Sequence, residues 1–224
     1  MRKIVFYLIG IILAGCATID IERLADDNLT KAECQKMIKN LSIRIEHYPD
    51  AWREYYYRGI AYFKIGELEL ALDDLSKSIK INPQYASTYF SRGTVYIVNK
   101  KYDEAMIDMN NTINLNPNYY DVYHMRGRIH YLLKDYISAL NEYDIYLKHN
   151  NKNLNIQKLK VLCLYKMKRF DEAITLMTAV KEIEDTYENA YILGEIFSAS
   201  EDSNTDDNDP FIIDMSISIM KNWY

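Results

Sequence analysis

Small, aromatic and bulky apolar positions return along this chain at intervals of 34 residues. Gly59, Gly93 and Gly127 keep that interval, as do Ala71, Ala105, Ala139 and Ala173, and Pro49, Pro83 and Pro117. The glycines sit in the frames Tyr55-x-x-Arg58-Gly59-x-x-Tyr62, Tyr89-x-x-Arg92-Gly93-x-x-Tyr96 and Tyr123-x-x-Arg126-Gly127-x-x-His130. Each frame is followed by a small residue and a large one four positions on: Ala71 and Leu75, Ala105 and Met109, Ala139 and Tyr143. Three residue types sharing one period mark an internal repeat. Upstream, Thr30-Lys31-Ala32-Glu33 reads as a capping box opening a helix that stops before Pro49. Near the C-terminus, Asp209-Pro210 reads as an N-cap with proline in the first turn. Phe211, Ile212, Met215, Ile219 and Trp223 then form the apolar stripe of a closing helix, although alternation through Met215, Ile217 and Ile219 also fits a strand. At the other end, Ile4–Ala14 is an apolar run of eleven residues behind Arg2 and Lys3.

Composition narrows the class. Only 7 Gly and 4 Pro interrupt 224 residues, which favours long helices over many short strands. An apolar fraction of 49% fills a core, and 3 cysteines cannot staple a chain of this length. A net charge of −5 argues against a nucleic-acid partner. The unusual number is 21 Tyr, which calls for a packing or binding role.

The repeat frames resemble the tetratricopeptide repeat, whose period is 34. That resemblance implies an all-α fold, a superhelix of antiparallel helix pairs (an α-solenoid), with a concave groove lined by the first helix of each pair. Three strong units are expected at 52–85, 86–119 and 120–153. Weaker ones are expected at 18–51 and 154–187, with a partial unit at 188–197. An acidic linker at 198–209 and a C-terminal capping helix at 210–224 complete the tetratricopeptide domain, which starts at residue 16. Of the 21 tyrosines, Tyr55, Tyr62, Tyr89, Tyr96, Tyr102, Tyr123, Tyr136, Tyr143 and Tyr191 take scaffold positions of the repeat.

The N-terminal run is a leader rather than a span. Eleven residues make only about 16 Å of helix, against roughly 30 Å of hydrocarbon. Leu13-Ala14-Gly15-Cys16 resembles the lipobox of bacterial lipoproteins, so residues 1–15 are read as a signal peptide and Cys16 as the lipidated residue. By the same resemblance, Ala17 after the cysteine favours an outer membrane over the inner one. The expected location is the bacterial cell envelope, lipid-anchored and facing the periplasm.

Mapping the family's groove onto this chain brings forward Tyr56, Ile60, Phe63, Tyr85, Phe90, Ile97, Tyr119, His124, Arg128, Tyr131 and Tyr165. Such a surface is aromatic and aliphatic and suits capture of a protein partner. The family's dicarboxylate clamp is not supported, because Tyr56, Ile60 and Thr94 stand where Lys and Asn would be needed. The position before each glycine is Arg58, Arg92 or Arg126, and sixteen residues later stand Asp74, Asp108 or Glu142. These are read as structural pairs tying two helices together. In the fourth unit both members change, to Lys160 and Leu176.

No cofactor is implied. The four histidines show no ligand spacing, so no metal site is expected. Asp202-Ser203-Asn204-Thr205-Asp206 starts like a calcium loop but has Asp207 for the turn glycine and Ile213 for the closing glutamate. Cys34 and Cys163 fall on interior positions and are expected as free thiols. No nucleophile elbow, phosphate loop or triad order appears, so an enzyme is not expected. The sequence reading is a membrane-anchored scaffold that binds a partner peptide. The alternative is an assembly factor for an outer-membrane, secretion or pilus complex.

Overall fold

In a computed structural model of the chain, residues 29–201 are described, and every regular element among them is an α-helix. The leader 1–15, Cys16, the closing helix 210–224 and the calcium-like segment lie outside the described residues, as does the linker from residue 202 on. The ten helices are α1 (Lys31–His47), α2 (Trp52–Lys64), α3 (Leu68–Ile81), α4 (Ala86–Val98), α5 (Tyr102–Leu115), α6 (Asp121–Leu132), α7 (Tyr136–His149), α8 (Leu154–Lys166), α9 (Phe170–Ile183) and α10 (Tyr187–Glu201). None is long and apolar enough to cross a membrane. Helix α10 runs through Glu201, so the first four residues of the stretch assigned to an acidic linker are helical. Ile196 and Ala199 are buried there, and that burial extends the helix past the point where its polar composition suggests a stop.

Two compact units are distinguished, one through Val95 and one from Tyr96. In the first, α1, α2 and α3 pack in sequence; in the second, α6 pairs with α7, and α8, α9 and α10 follow as neighbours. Helix α1 begins with the capping box, Thr30 accepting from the Glu33 amide at 3.3 Å while the Glu33 carboxylate accepts from the Thr30 amide at 2.9 Å. Asp135 and Asn153 cap α7 and α8 in the same sense, accepting from the Ser138 and Ile156 amides. The Asn82 and Asn116 side chains each accept from the amide two residues on, closing the turns that carry Pro83 and Pro117.

The repeat register is the core. Ala71, Ala105, Ala139 and Ala173 are fully buried, and so are Leu75, Met109, Tyr143 and Met177 one turn later. Glycine supplies the close approach between paired helices. A Cβ on Gly59 would lie 2.8 Å from Leu75 Cγ, and one on Gly127 only 2.5 Å from Tyr143 Cε1.

The turns inside the pairs explain why so few glycines suffice. Gly66, Lys100, Lys134 and Lys168 occupy one repeat position, and all four have positive φ, from 57° to 85°. The residue after each donates back to Tyr62, Tyr96, His130 or Leu164, at 2.9 Å in every case, which is the Schellman closure of a helix. Three of the four turns place lysine where glycine is the unstrained choice.

Candidate functional site

Each unit presents an aromatic surface, and each is described by itself. In the first, Trp52 and Tyr56 stand one turn apart on α2, and Tyr85 lies just before α4. The Trp52 and Tyr85 rings are 4.7 Å apart and tilted by 52°. Tyr56 meets Tyr85 edge-on at 5.4 Å and Tyr57 at 5.0 Å. Arg53 lies 4.6 Å over the Trp52 ring. Tyr56, Ile60, Phe63, Tyr85 and Phe90 are all half-buried, which leaves ring surface for a ligand without leaving the rings loose. Edge-to-face rings hold one another in place, so contact with a partner costs little side-chain entropy.

In the second unit an open cleft of about 410 Å³ lies where α5 ends, α6 begins and α7 ends. Tyr119, Tyr120 and Tyr146 give it aromatic walls, and Asn116, Asn118 and Asn150 place amides around the opening. His149, the last residue of α7, stacks on Tyr120 at 3.5 Å and 19°. The Tyr146 hydroxyl accepts from the Asn150 and Asn153 side chains, both at 3.1 Å. Amides beside aromatic faces match the donors, acceptors and side chains of a peptide. Sequence reasoning found Tyr119 here but not its neighbours, because Tyr120, Tyr146 and His149 come from three different elements.

Four residues assigned to the groove are buried instead. Ile97, Tyr131 and Tyr165 share one repeat position at the end of the first helix, with exposures of 3, 8 and 3%. The first residue of the next helix covers two of them, Tyr136 lying 5.6 Å from Tyr131 and Phe170 lying 5.5 Å from Tyr165. Phe63, at the same position, stays half-buried. Arg128 is buried on α6 together with His124, and neither presents a cation to a ligand. Lys158 is buried as well and bonds Glu184 at 3.2 Å.

His124 carries a pH signature. Burial first, and the Arg128 charge second, lower its pKa from 6.5 to about 4, and its Nε2 is buried with no hydrogen-bond partner. The folded chain therefore holds the ring neutral while the unfolded chain takes up a proton. The stability this contributes is complete above pH 6.5 and is lost as pH falls toward 4. The loss is about 3 kcal/mol at ~1.4 kcal/mol per pH unit. His124→Phe should flatten that part of the stability profile, measured by urea melts from pH 7 to 4. An unchanged slope would place the titrating group elsewhere.

Two of the structural pairs form as the spacing implied. Arg58 grips Asp74 with Nε and Nη2 at 2.6 and 2.8 Å, and Arg126 reaches Glu142 at 2.6 Å. Burial outweighs Arg126 and pushes the Glu142 carboxyl above the usual range. The same cations also reach backward by sixteen residues, a contact the sequence reading missed. Arg58 donates to Ser42, Arg92 to Ser76, and Lys160 to Asp144. The signal was present in the spacing, since Ser42, Ser76 and Asp144 share the repeat period.

Cys34 and Cys163 are free and buried, and desolvation pushes the Cys163 thiol up to about 12, which makes it inert at neutral pH. Among the described residues no group of three His, Cys, Asp or Glu is placed to hold a metal ion.

Models of the tetratricopeptide repeat match residues 52–85 and 86–119. No curated protein matches the chain. Among solved structures, a tetratricopeptide repeat protein from Parabacteroides merdae is 16% identical with a TM-score of 0.66, covering 90% of this chain and 77% of that one. YrrB, described as a TPR protein with an unusual peptide-binding site, is 21% identical with a TM-score of 0.61, covering 81% of this chain and 91% of that one. MamA from Desulfovibrio magneticus is 15% identical with a TM-score of 0.62, covering 76% of this chain and 93% of that one. At such identities the likeness is one of fold.

Proposed function

From the premise that this chain is a tetratricopeptide repeat protein, we propose that it is a protein-interaction scaffold capturing a partner peptide on its first-helix aromatic surfaces. The observation that carries this reading is the interlocked cluster of Trp52, Tyr56 and Tyr85, half-buried and held edge-on, with no catalytic or metal-binding group beside it. Rigid aromatic surface of that kind is characteristic of the residues that dominate protein interfaces. The amide-rimmed cleft at Tyr119 offers a second contact of the same chemistry. Stability comes from the buried alanine and large-residue rows, so the aromatic surface is free to vary with the partner.

We further propose that Cys16 carries the lipid that holds this scaffold in the bacterial envelope, at the periplasmic side of an outer membrane. The charged start, the short apolar run and the small residues before Cys16 support it. An anchor raises the local concentration of scaffold at the membrane and confines capture to partners that reach it.

Both parts are tested in one preparation. Cells fed an alkynyl palmitate should label the intact chain but not Cys16→Ser. Tyr56, Tyr85 and Phe90 changed together to Ala should leave the fold intact and remove the partners recovered from detergent extracts of those cells. Label on Cys16→Ser would overturn the anchor, and an unchanged set of partners would overturn the surface.

A further inference from the structure

The fourth unit departs from the repeat at two positions together, and an opening lies at that place. Where Arg126 and Glu142 bridge two helices of the third unit, the fourth has Lys160 and Leu176. Lys160 turns back to Asp144 on α7 rather than forward to α9. No polar bridge then fills the space between α7 and α9, and a groove of about 600 Å³ remains. Its floor is Leu140, Leu164 and Leu176. It lies along second helices, whereas the aromatic surfaces above belong to first helices and the turns beside them.

The rim has a sign. In the Lys160–Asp144 pair the carboxylate is 51% exposed and the ammonium 20%; in Arg169–Glu172 the carboxylate is 56% exposed and the guanidinium 43%. A ligand approaching from solvent therefore meets carboxylates outside and leucines inside. Glu172 to Ala179 spans about two helical turns, roughly 10 Å, enough for apolar anchors at i, i+3 or i+4, and i+7.

We infer that this groove is a second docking site, separate from the aromatic surface, and that its occupant is a basic amphipathic helix of a partner protein. Charge selects that occupant over the chain's own C-terminal segment. Asp202, Asp206, Asp207 and Asp209 give the tail that follows α10 the same sign as the rim. The chain as a whole carries −5, so a cationic helix is also steered toward it.

The test is a titration of the isotopically labelled full chain with a synthetic helical peptide of leucine and lysine, about 14 residues long with leucines at the anchor spacing. A second peptide carries glutamate for every lysine. The lysine peptide should shift the methyl resonances of Leu140, Leu164 and Leu176, and the glutamate peptide should not. Asp144→Asn with Glu172→Gln should weaken binding roughly tenfold. Lys160→Arg with Leu176→Glu, which rebuilds the third unit's bridge, should abolish it. Ala179→Phe, an exposed change that plugs the groove from its edge, should do the same even if the rebuilt bridge fails to fold. Equal binding by the plugged chain, or shifts confined to Tyr119 and its neighbours, would overturn the proposal. So would binding that appears only after the chain is cut behind Glu201, since the tail would then be the occupant.

Discussion

Gly127→Ala is expected to cost about 2 kcal/mol of stability, while Gly194→Ala, a formally identical change, should gain about 1 kcal/mol. Both residues lie within helices, where alanine is favoured over glycine by about 1 kcal/mol. They differ in what the new methyl meets. At Gly127 it would stand 2.5 Å from Cε1 and 2.7 Å from Cδ1 of Tyr143; at Gly194 nothing lies within 4 Å. Tyr143 is fully buried, so its ring cannot swing aside, and overpacking of that kind costs about 1–3 kcal/mol or more. The fourth unit shows how the chain itself resolves the conflict: Val161 replaces the glycine and Met177 replaces the tyrosine, and both are buried. Gly127→Ala combined with Tyr143→Met should accordingly recover much of the loss. Urea melts of the four variants decide it. Equal effects at Gly127 and Gly194 would mean that backbone propensity, and not close approach, governs these positions.

The second large effect is at the Arg58 bridge. Asp74→Ala should cost about 3 kcal/mol, because it leaves a guanidinium with 17% of its side chain exposed and without the carboxylate that takes two of its donors. Ser42 accepts one hydrogen bond and carries no charge, so it does not replace Asp74. Arg58→Met with Asp74→Leu should be far milder than Asp74→Ala, since removing both partners leaves no charge stranded. By contrast, Arg169→Ala should leave stability unchanged, although Arg169 also grips Glu172 through two donors, at 2.7 and 2.6 Å. Both members of that pair stand in water, where ion pairs contribute little. If Asp74→Ala proved as harmless as Arg169→Ala, the bridge would be ornament rather than structure.

These cases show what the sequence discloses and where it stops. The small-and-large rows at Ala71 and Leu75 and their counterparts are legible because each unit repeats the same contact between its own two helices. Period alone then identifies the buried face. The capping box at Thr30 is legible because it is local. Burial of Ile97, Tyr131 and Tyr165 is not, because it depends on how the following helix starts, and Tyr136 and Phe170 close over their positions only in three dimensions. Lys100, Lys134 and Lys168 escaped notice for another reason. Lysine carries no propensity for positive φ, and only its phase with Gly66 marks those turns. The backward reach of Lys160 to Asp144 was hidden by attention to the acid sixteen residues ahead, a position that Leu176 leaves apolar. As for the aromatic surface, Tyr56, Tyr85, Phe90 and Tyr119 were named from the repeat register, while Trp52 and His149 lie off it.

The central claim is that the first-helix aromatic surface is where a partner is held. It is tested most directly by placing a photo-crosslinking amino acid at Phe90, in the living cell, and at Ile107 as an exposed second-helix control. The account predicts one dominant protein adduct from Phe90, absent from Ile107 and lost when Tyr56 and Tyr85 are changed to Ala. The same adduct from both positions, or an adduct that survives the loss of those rings, would contradict it.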